Sequence, residues 1–363
     1  MIAKHLELIH FRNYEKINID LSSCTNVLTG DNAQGKTNLL ESLVYLSLTR
    51  SHRINDEKKL IKEKNDFASV SCIYEDEGIE HTLKAIIHLK GKTLMIDGHP
   101  ALKSSEFIGL LNTVLFSPDD LRIFNDSPKE RRKMVNQEIT KVSNAYLSAL
   151  NKYQSYLKQR NAILKNDKVN ESLLDIIDEQ MSFEESVILK ERSEFVHCIN
   201  QYISKIYQIL AEEKSEIKIH YACTYANSDS EYICQTRKKM RRRDCEMHVT
   251  TIGSHREDFV FLKDEKNVIE SASQGQKRMI ILSFKMSLLI YIKNKIHKRP
   301  ILLLDDVMSE LDQKRQKRLL EILNDKYQCI ITATEIPKYL ENLNYREFHI
   351  CNGNIVSIKE EVK

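Results

Sequence analysis

The amino-acid sequence predicts an α/β fold in which both ends of the chain build one sheet domain and a helical lobe is inserted between them. Strand-like alternation fills the first hundred positions and returns from residue 299, whereas helical periodicity dominates from about residue 145. A glycine-rich loop also stands between a strand and a helix. We therefore predict lobe I from residues 1–115 plus 296–363, and lobe II from residues 116–295 with a helical arm at about 140–215.

Composition supports a folded protein without a strong overall field. The chain has 363 residues, 41% of them hydrophobic, which is enough to bury a sizeable core and excludes a disordered or fibrous protein. Fifty-five Lys and Arg residues nearly balance 52 Asp and Glu residues, so the formal net charge is +3. Any basic binding surface must therefore be local.

The cysteines indicate a reducing compartment. Eight are scattered along the chain without a C-x-x-C pair, and no signal segment opens the sequence, so we expect a cytoplasmic protein. Cys223, Cys234 and Cys245 recur at equal intervals near His248, but structural zinc ligands usually stand roughly two to four residues apart. We expect ordinary packed thiols there.

No membrane span is expected. The richest apolar run, residues 279–292, is interrupted by Lys285 and by Ser283 and Ser287.

The first hundred residues predict strands, with one helix among them. Residues 6–11 and 17–21 alternate on either side of a polar break, which predicts a hairpin, and residues 26–29 predict a short strand. Leucines at helical spacing follow in residues 39–48. Alternation in residues 82–89 and 93–96 flanks a turn that contains Gly91.

Helical periodicity characterises the middle of the chain. Apolar residues recur every three or four positions in residues 146–164 and again in residues 177–210, with a polar break at 166–172. This pattern predicts two long helices that pack against each other in antiparallel fashion. Strand signals return at residues 299–304, 328–333, 348–351 and 355–358.

Residues 30–37 read GDNAQGKT, which satisfies the phosphate-loop pattern G-x-x-x-x-G-K-[ST] between a predicted strand and helix. Such a loop curls so that its N–H groups face phosphate oxygens, its lysine reaches the β and γ phosphates, and its hydroxyl binds Mg²⁺. The predicted ATP-binding residues here are Gly30, Asn32, Ala33, Gln34, Gly35, Lys36, Thr37 and Asn38. Lys36 also has a catalytic role in this prediction, and Thr37 is a metal ligand.

A second strand supplies the acids that a phosphate loop requires. Residues 301–304 are apolar and read as a buried parallel strand, from whose carboxyl end Asp305 and Asp306 emerge. We expect Asp305 to hold Mg²⁺ and Asp306 to orient or deprotonate the attacking water. Two carboxylates beside a triphosphate would be unfavourable without a cation, so Mg²⁺ is part of the hypothesis.

Two further segments distinguish among classes of phosphate-loop protein. Residues 272–276 read ASQGQ before an apolar helix, and residues 309–312 read SELD shortly after the acids. With the loop and the acids, they resemble the ABC ATPase set of Walker A, LSGGQ signature, Walker B and D-loop. That resemblance implies that Ser273, Gly275 and Gln276 complete the γ-phosphate site of a second copy, Ser273 having a catalytic role. A helix N-cap would account for Ser273 but is not expected to account for Gly275 and Gln276.

Within the ABC class, the chain resembles the RecF family of bacterial recombination and repair proteins over essentially its whole length. The motifs that carry this resemblance are FRNY at 11–14, NAQGKTN at 32–38, FSPDDL at 116–121, SP at 127–128 before RR at 131–132, QRN at 159–161, GSHRED at 253–258, QGQKR at 274–278 and LDDVMSELD at 304–312. RecF proteins commonly have GPHRDD where this chain has GSHRED. Asp306 replaces the glutamate of the wider ABC class, and Thr334 stands where many ABC proteins have a switch histidine.

The resemblance implies an SMC-like ATPase head without a long coiled coil. It implies ATP-dependent homodimerisation on single- and double-stranded DNA at gaps or junctions, and slow, DNA-stimulated hydrolysis that releases the dimer. It also implies work with RecO and RecR in loading RecA, during recombinational repair, replication restart and the response to DNA damage.

The residues alone offer weaker support for DNA contact. Cations cluster in residues 237–243 and in residues 131–133, although such clusters are usually solvated faces. Two other functions use the same phosphate loop: a small-molecule kinase or GTPase, which turns over as a monomer without a response to DNA, and a scaffold that has lost catalysis.

Overall fold

The computed structural model describes residues 1–166, 168–308, 311–323, 326–336, 340 and 344–361. The helices and strands, in chain order, are β1 (Ile2–Phe11), β2 (Tyr14–Asp20), β3 (Thr25–Thr29), α1 (Lys36–Leu48), β4 (Phe67–Asp76), β5 (Ile79–His88), β6 (Gly91–Ile96), β7 (His99–Pro100), α2 (Ser104–Phe107), β8 (Thr113–Phe116), α3 (Pro128–Thr140), α4 (Asn144–Leu164), α5 (Glu171–Ala211), β9 (Ile217–Ala222), α6 (Ser230–Met247), β10 (Asp258–Lys263), β11 (Lys266–Asn267), α7 (Val268–Ser271), α8 (Gln274–Ile296), β12 (Ile301–Asp305), α9 (Gln313–Leu323), β13 (Cys329–Thr332), β14 (Tyr345–Cys351) and β15 (Asn354–Glu361).

Strands from both ends of the chain form one sheet, with the spatial order β15-β14-β3-β13-β12-β8. Five of these strands run parallel, and only the edge strand β15 is antiparallel to its neighbour. Every residue of β3 and β12 is buried, as expected for parallel strands covered on both faces. The prediction that the two termini share one sheet is confirmed.

The second large sheet is antiparallel, in the order β2-β1-β4-β5-β6-β7. Its hairpins β1–β2 and β5–β6 confirm the predicted pairs, with Leu8 opposite Ile17 and Ile86 opposite Thr93. The ten-residue strand β4 between β1 and β5 was not predicted. Apolar residues from both sheets and from α1 form one continuous core, so the phosphate loop rests on a rigid base.

The two long helices α4 and α5 are antiparallel, as predicted. Hydrogen bonds join Ser143 to Glu191, Lys152 to Glu184, Tyr156 to Gln180 and Arg160 to Asp178. Residue numbers in these pairs fall along one helix as they rise along the other. The same part of the chain also holds a small antiparallel sheet, β11-β10-β9, which the periodicity did not reveal.

The chain divides into two compact units. The first consists of Met1–Asp120, Ile206–Glu213 and Ile281–Lys363, and the second of Leu121–Lys205 and Lys214–Ile280. We expected residues 116–120, 206–213 and 281–295 in the helical lobe, whereas they group with the first unit. Helix α8 explains most of this difference, because residues 279–289 are buried around the whole helix and need partners on every side.

Candidate nucleotide site

The phosphate loop joins the carboxyl end of β3 to the start of α1, as the sequence predicts. Gly30 and Gly35 have φ angles of 135° and 115°, a region that favours glycine. A Cβ atom on Gly30 would lie 2.2 Å from the carbonyl oxygen of Ile350, and one on Gly35 would lie 2.5 Å from Asn13 Nδ2. Only glycine therefore allows the loop to curl this tightly.

Lys36 folds back over the loop. Its Nζ donates to the carbonyl oxygens of Gly30 and Asp31, the latter at 2.8 Å, and the residue is only 8% exposed. Burial lowers the pKa of this ammonium group, while the nearby carboxylates of Asp306, Asp31 and Asp305 act in the opposite direction. A buried cation that faces carbonyl dipoles is suited to exchange them for phosphate oxygens.

The hydroxyl of Thr37 reaches across to the acids at the end of β12. Thr37 Oγ1 donates to Asp305 Oδ1 at 2.8 Å, and Thr332 Oγ1 donates to the same oxygen at 2.9 Å. Because β12 and β13 are parallel neighbours, Thr332 stands directly opposite Asp305. Burial raises the pKa of the Asp305 carboxyl, against the effect of the two hydroxyl donors. Thr332 was not predicted from the sequence.

Asp306 is exposed at the same sheet edge. Its backbone amide donates to Thr332 Oγ1 at 2.8 Å, and its φ angle of 53° lies in the left-handed region. Such a conformation is uncommon for residues other than glycine, asparagine and aspartate, and it turns the chain sharply at the end of the strand. The two carboxylates therefore leave the strand in different environments, one buried and one open.

These groups border a cleft of about 470 Å³ within the first unit. Its lining includes nine of the predicted residues: Asn32, Ala33, Gln34, Gly35, Lys36, Thr37, Asn38, Asp305 and Asp306. Arg53, Pro118 and Thr332 also line it, and none of these was predicted. Gly30 is at the base of the loop instead, where its amide donates to the carbonyl oxygen of Thr334 at 3.3 Å.

Asn13 holds the loop from the first hairpin. Its Nδ2 donates to the carbonyl oxygen of Gln34 at 3.0 Å, and its Oδ1 accepts from Asn38 Nδ2 at 2.8 Å. Gly353 also donates to the Gln34 carbonyl, at 3.2 Å. From sequence, the motif at residues 11–14 stood only on a family resemblance, and these hydrogen bonds give its asparagine a physical role.

The signature segment belongs to the second unit. Ser273 N donates to Gln276 Oε1 at 2.9 Å, and Ser273 Oγ accepts from Gln276 N at 3.3 Å, which is a reciprocal capping box at the start of α8. Helix capping therefore accounts for Gln276, contrary to the expectation from sequence. Gly275 is exposed, and a Cβ atom there would have no heavy atom within 4 Å apart from its own helix and chain neighbours.

Of the predicted D-loop, Ser309 and Glu310 lie outside the described residues. Leu311 is buried, and Asp312 Oδ1 accepts from Arg315 N at 2.9 Å, close to the start of α9.

The basic clusters differ from the prediction. In α6, Arg237 is fully buried and bonds to Glu185, while Arg241 pairs with Asp175 and Asp178. Arg131 makes two bonds of 2.7 Å to the carboxylate of Asp258. A guanidinium held in this way contributes to packing rather than to an exposed binding surface. The exposed members of the longer run are Lys238, Lys239, Arg242 and Arg243.

Of the three evenly spaced cysteines, Cys234 and Cys245 are half-buried, whereas Cys223 is exposed rather than packed as expected. All eight cysteines lie in the described part of the chain and are free. Within that part, no three His, Cys, Asp or Glu side chains form a group suited to a metal ion. None of the helices there combines the length and apolar character that a bilayer crossing requires.

Three comparisons relate the chain to known proteins. Residues 2–345 match the family described as "RecF/RecN/SMC N terminal domain". The DNA replication and repair protein RecF of Lachnoclostridium phytofermentans is 39% identical over 348 residues, which cover 94% of this chain and 95% of the relative. A solved structure of the recombination mediator protein RecF with ATP, from the RecFOR pathway, is 29% identical with a TM-score of 0.88, covering 99% of both chains.

An Smc head domain from Pyrococcus furiosus is similar in fold, with a TM-score of 0.57 and 16% identity over 99% of this chain and 96% of that chain. The family match over residues 2–345 includes the phosphate loop, the helix that follows Ser273 and the acids at the end of β12. The chain belongs to the RecF/RecN/SMC N-terminal domain family and, within it, to the RecF proteins.

Proposed function

We propose that this protein is an ATP-dependent DNA-binding ATPase of recombinational repair and replication restart, acting in the cytoplasm. The observation that carries the proposal is the hydrogen bond between Thr37 of the phosphate loop and Asp305 of the second strand, 2.8 Å long and beside Lys36. It unites a phosphate cradle with a metal-binding acid in a chain 39% identical to RecF proteins.

The residues of the cleft fit ATP and Mg²⁺. A Cβ atom on Gly35 would collide with Asn13 and Tyr14, so glycine is needed for the tight curl of the loop, and the loop and the N-terminus of α1 offer N–H groups for phosphate oxygens. A threonine hydroxyl and a carboxylate are hard oxygen ligands, which Mg²⁺ prefers. We assign Gly30, Asn32, Ala33, Gln34, Gly35, Lys36, Thr37 and Asn38 to ATP, and Thr37 and Asp305 to the metal. A bound Mg²⁺ would neutralise charge on the phosphate oxygens.

Asp306 is the proposed residue that orients or deprotonates the attacking water. It is exposed at the cleft, whereas Asp305 is engaged by two hydroxyl donors. An aspartate reaches one methylene less far than a glutamate, so proton transfer is less efficient and hydrolysis is slow. Thr334 takes no proton in this scheme, because a threonine hydroxyl is far too weak a base near neutral pH. Its backbone carbonyl oxygen accepts from the amide of Gly30.

Two copies are proposed to face each other over bound ATP. Ser273, Gly275 and Gln276 of one copy then complete the site of the other. The Ser273 hydroxyl accepts from Gln276 but still has its own proton to donate, and the helix N-terminus favours an anion. Exposed Gly275 allows another backbone to approach closely.

DNA is the proposed macromolecular ligand, single- or double-stranded at gaps and junctions. The exposed cations of α6 are suited to phosphate contact, which positions a protein without reading bases. RecO and RecR are proposed partners in loading RecA, since a RecF relative is described within the RecFOR pathway. ATP hydrolysis, slow on its own and faster with DNA, would release the dimer from DNA.

ATP hydrolysis measured with and without gapped duplex DNA tests this function. We expect slow ATP turnover that increases with DNA. A kinase or GTPase would instead need a small acceptor and would not respond to DNA, and a scaffold would not hydrolyse ATP.

Lys36→Ala should weaken ATP binding by about 10-fold or more, since a charge-assisted hydrogen bond to phosphate is removed. Asp306→Asn should bind ATP like the parent but hydrolyse it about 100-fold more slowly. Parent-like hydrolysis by Asp306→Asn would exclude its role in water activation.

A further inference from the structure

Lys285 is the charged residue within the largely buried segment of α8, residues 279–292. It lies in the middle of α8 and is 6% exposed, and its neighbours Phe284 and Met286 are buried as well. Removing an ammonium group from water costs several kcal/mol unless a counter-charge and hydrogen bonds compensate. A lysine at such a position therefore needs a specific partner.

That partner is Asp120. Lys285 Nζ lies 2.7 Å from Asp120 Oδ1, and both side chains are largely buried. The other carboxylate oxygen accepts from the backbone amide of Ser117 at 2.7 Å, while the Asp120 amide donates to the Ser117 carbonyl at 3.1 Å. One aspartate thus closes the turn at residues 117–120, which is the start of the 3-10 helix Pro118–Phe124, and pairs with α8.

The closed turn is part of the nucleotide cleft. It follows β8, which pairs with β12 so that Phe116 stands opposite Leu304, one residue before Asp305. Pro118 of this turn lines the cleft. Asp120 therefore fixes a wall of the cleft at the same sheet edge as the proposed metal ligand.

The other end of the connection is the signature. Helix α8 begins at Gln274, immediately after Ser273, and continues without interruption past Lys285 to Ile296. Eleven residues of helix, about 16 Å at 1.5 Å per residue, separate Gln274 from Lys285. A continuous helix transmits a displacement at Lys285 to its first turn.

We propose that the Asp120–Lys285 ion pair couples the wall of the nucleotide cleft to the helix that presents the signature. Asp120 and Lys285 are positioning residues: neither lines the cleft, and each acts through the segment that it holds. The inference rests on the proposed function, because it assumes that the cleft binds ATP.

Hydrogen exchange on the full chain tests the coupling at protein concentrations where sedimentation shows monomers. ATP should slow exchange of the amides in residues 274–280 by about 3-fold or more in the parent, since the cleft wall becomes ordered. Lys285→Met should bind ATP within about 3-fold of the parent yet lose this protection. Lys285→Arg should retain it. Ser287→Ala is the matched control, because Ser287 is buried in the same helix and its hydroxyl donates within that helix, to the carbonyl oxygen of Ser283.

Asp120→Asn, and the double variant that combines it with Lys285→Met, complete a double-mutant cycle. If the pair acts as a unit, the double variant loses no more protection than either single variant. Protection that persists in Lys285→Met, or that is lost equally in Ser287→Ala, overturns the coupling, as does an absence of ATP-dependent protection in the parent. If the proposed function is wrong but the coupling is right, the result differs. ATP still protects the amides of residues 274–280 in the monomer, but the protein neither associates on adding ATP nor responds to DNA.

Discussion

His255 is held as a neutral ring by its two partners. A carbonyl oxygen can only accept, so Nε2 carries the proton that is shared with Thr250 O at 3.2 Å. Nδ1 then accepts from the hydroxyl of Tyr153 at 2.8 Å. Burial lowers the pKa of this imidazole to about 4, although the Thr250 carbonyl and Glu185 act in the opposite direction. The GSHRED motif thus contains a histidine that serves packing of the second unit at neutral pH.

This arrangement predicts that acid destabilises the protein. The unfolded histidine has a pKa near 6.5 and the folded one about 4, so between these values the unfolded chain binds more protons. The contribution of His255 to the free energy of unfolding is fully present above pH 6.5 and is lost as the pH falls toward 4. We expect it to be about 2 kcal/mol smaller at pH 5 than at pH 7. Urea unfolding at both pH values measures this.

The variant His255→Gln provides the comparison, since it cannot titrate in this range. Between pH 7 and pH 5 its free energy of unfolding should fall by about 2 kcal/mol less than that of the parent. His52, whose pKa burial also lowers to about 4, continues to titrate in both proteins. Equal slopes for the parent and the variant would contradict the assignment.

Helix α6 shows how an element sorts a run of like charges. Residues four apart share a helix face, so Arg237 and Arg241 both point to buried or partly buried acids, while Lys239 and Arg243 share an exposed face. The run looks uniform in the sequence. In the helix, its two faces have separate roles, one in packing and one in contact with solvent.

Substitutions on the two faces should therefore have different effects. Lys239→Ala with Arg243→Ala should leave stability within about 0.5 kcal/mol but reduce the salt dependence of DNA binding, by about one in the log–log slope for each phosphate that is no longer neutralised. Arg237→Met should cost about 3 kcal/mol or more, because it leaves Glu185 buried without its cation. Chemical unfolding and DNA titrations at several salt concentrations measure both. If the double variant at Lys239 and Arg243 binds DNA with the same log–log salt slope as the parent, DNA contact lies elsewhere on the protein.

The whole molecule brings the two ends of the chain into one nucleotide-binding unit. Strand β3, which leads into the phosphate loop, lies between β13 and β14 from the last part of the chain. The signature, in contrast, belongs to the other unit. If ATP sites are shared between copies, loss of one signature must affect the partner's site, because each site takes its elements from two chains.

Ser273→Arg tests this sharing. The substitution removes the hydroxyl that accepts from the amide of Gln276, and the long arginine side chain obstructs the approach of a second copy. In a mixture with the parent, a heterodimer should have one complete site and a variant homodimer none, so ATP-induced association of the variant chain should be weakened about 10-fold or more. Sedimentation with and without ATP measures the effect. Association equal to that of the parent would refute shared sites.

Several features of the fold could be predicted from the sequence because their signals are local. The two hairpins and the two long helices alternate or repeat with a fixed period, and β12 is a short, continuous apolar run. Strand β4 was missed because its buried face is Ala68, Val70, Cys72 and Tyr74, in which alanine and cysteine give a weak apolar signal. The sheet β11-β10-β9 was missed for a related reason: β11 has only two residues.

The sequence by itself determined the phosphate loop, the acids after β12 and the helix that follows Ser273, because each depends on neighbouring residues and their backbone geometry. Only the tertiary structure decided which distant side chains meet. It placed Thr332 on Asp305 and Asn13 on Gln34, and it paired Lys285 with Asp120. Such pairs carry no periodic signal, since they depend on strand order and on where polar groups must find partners once water is excluded.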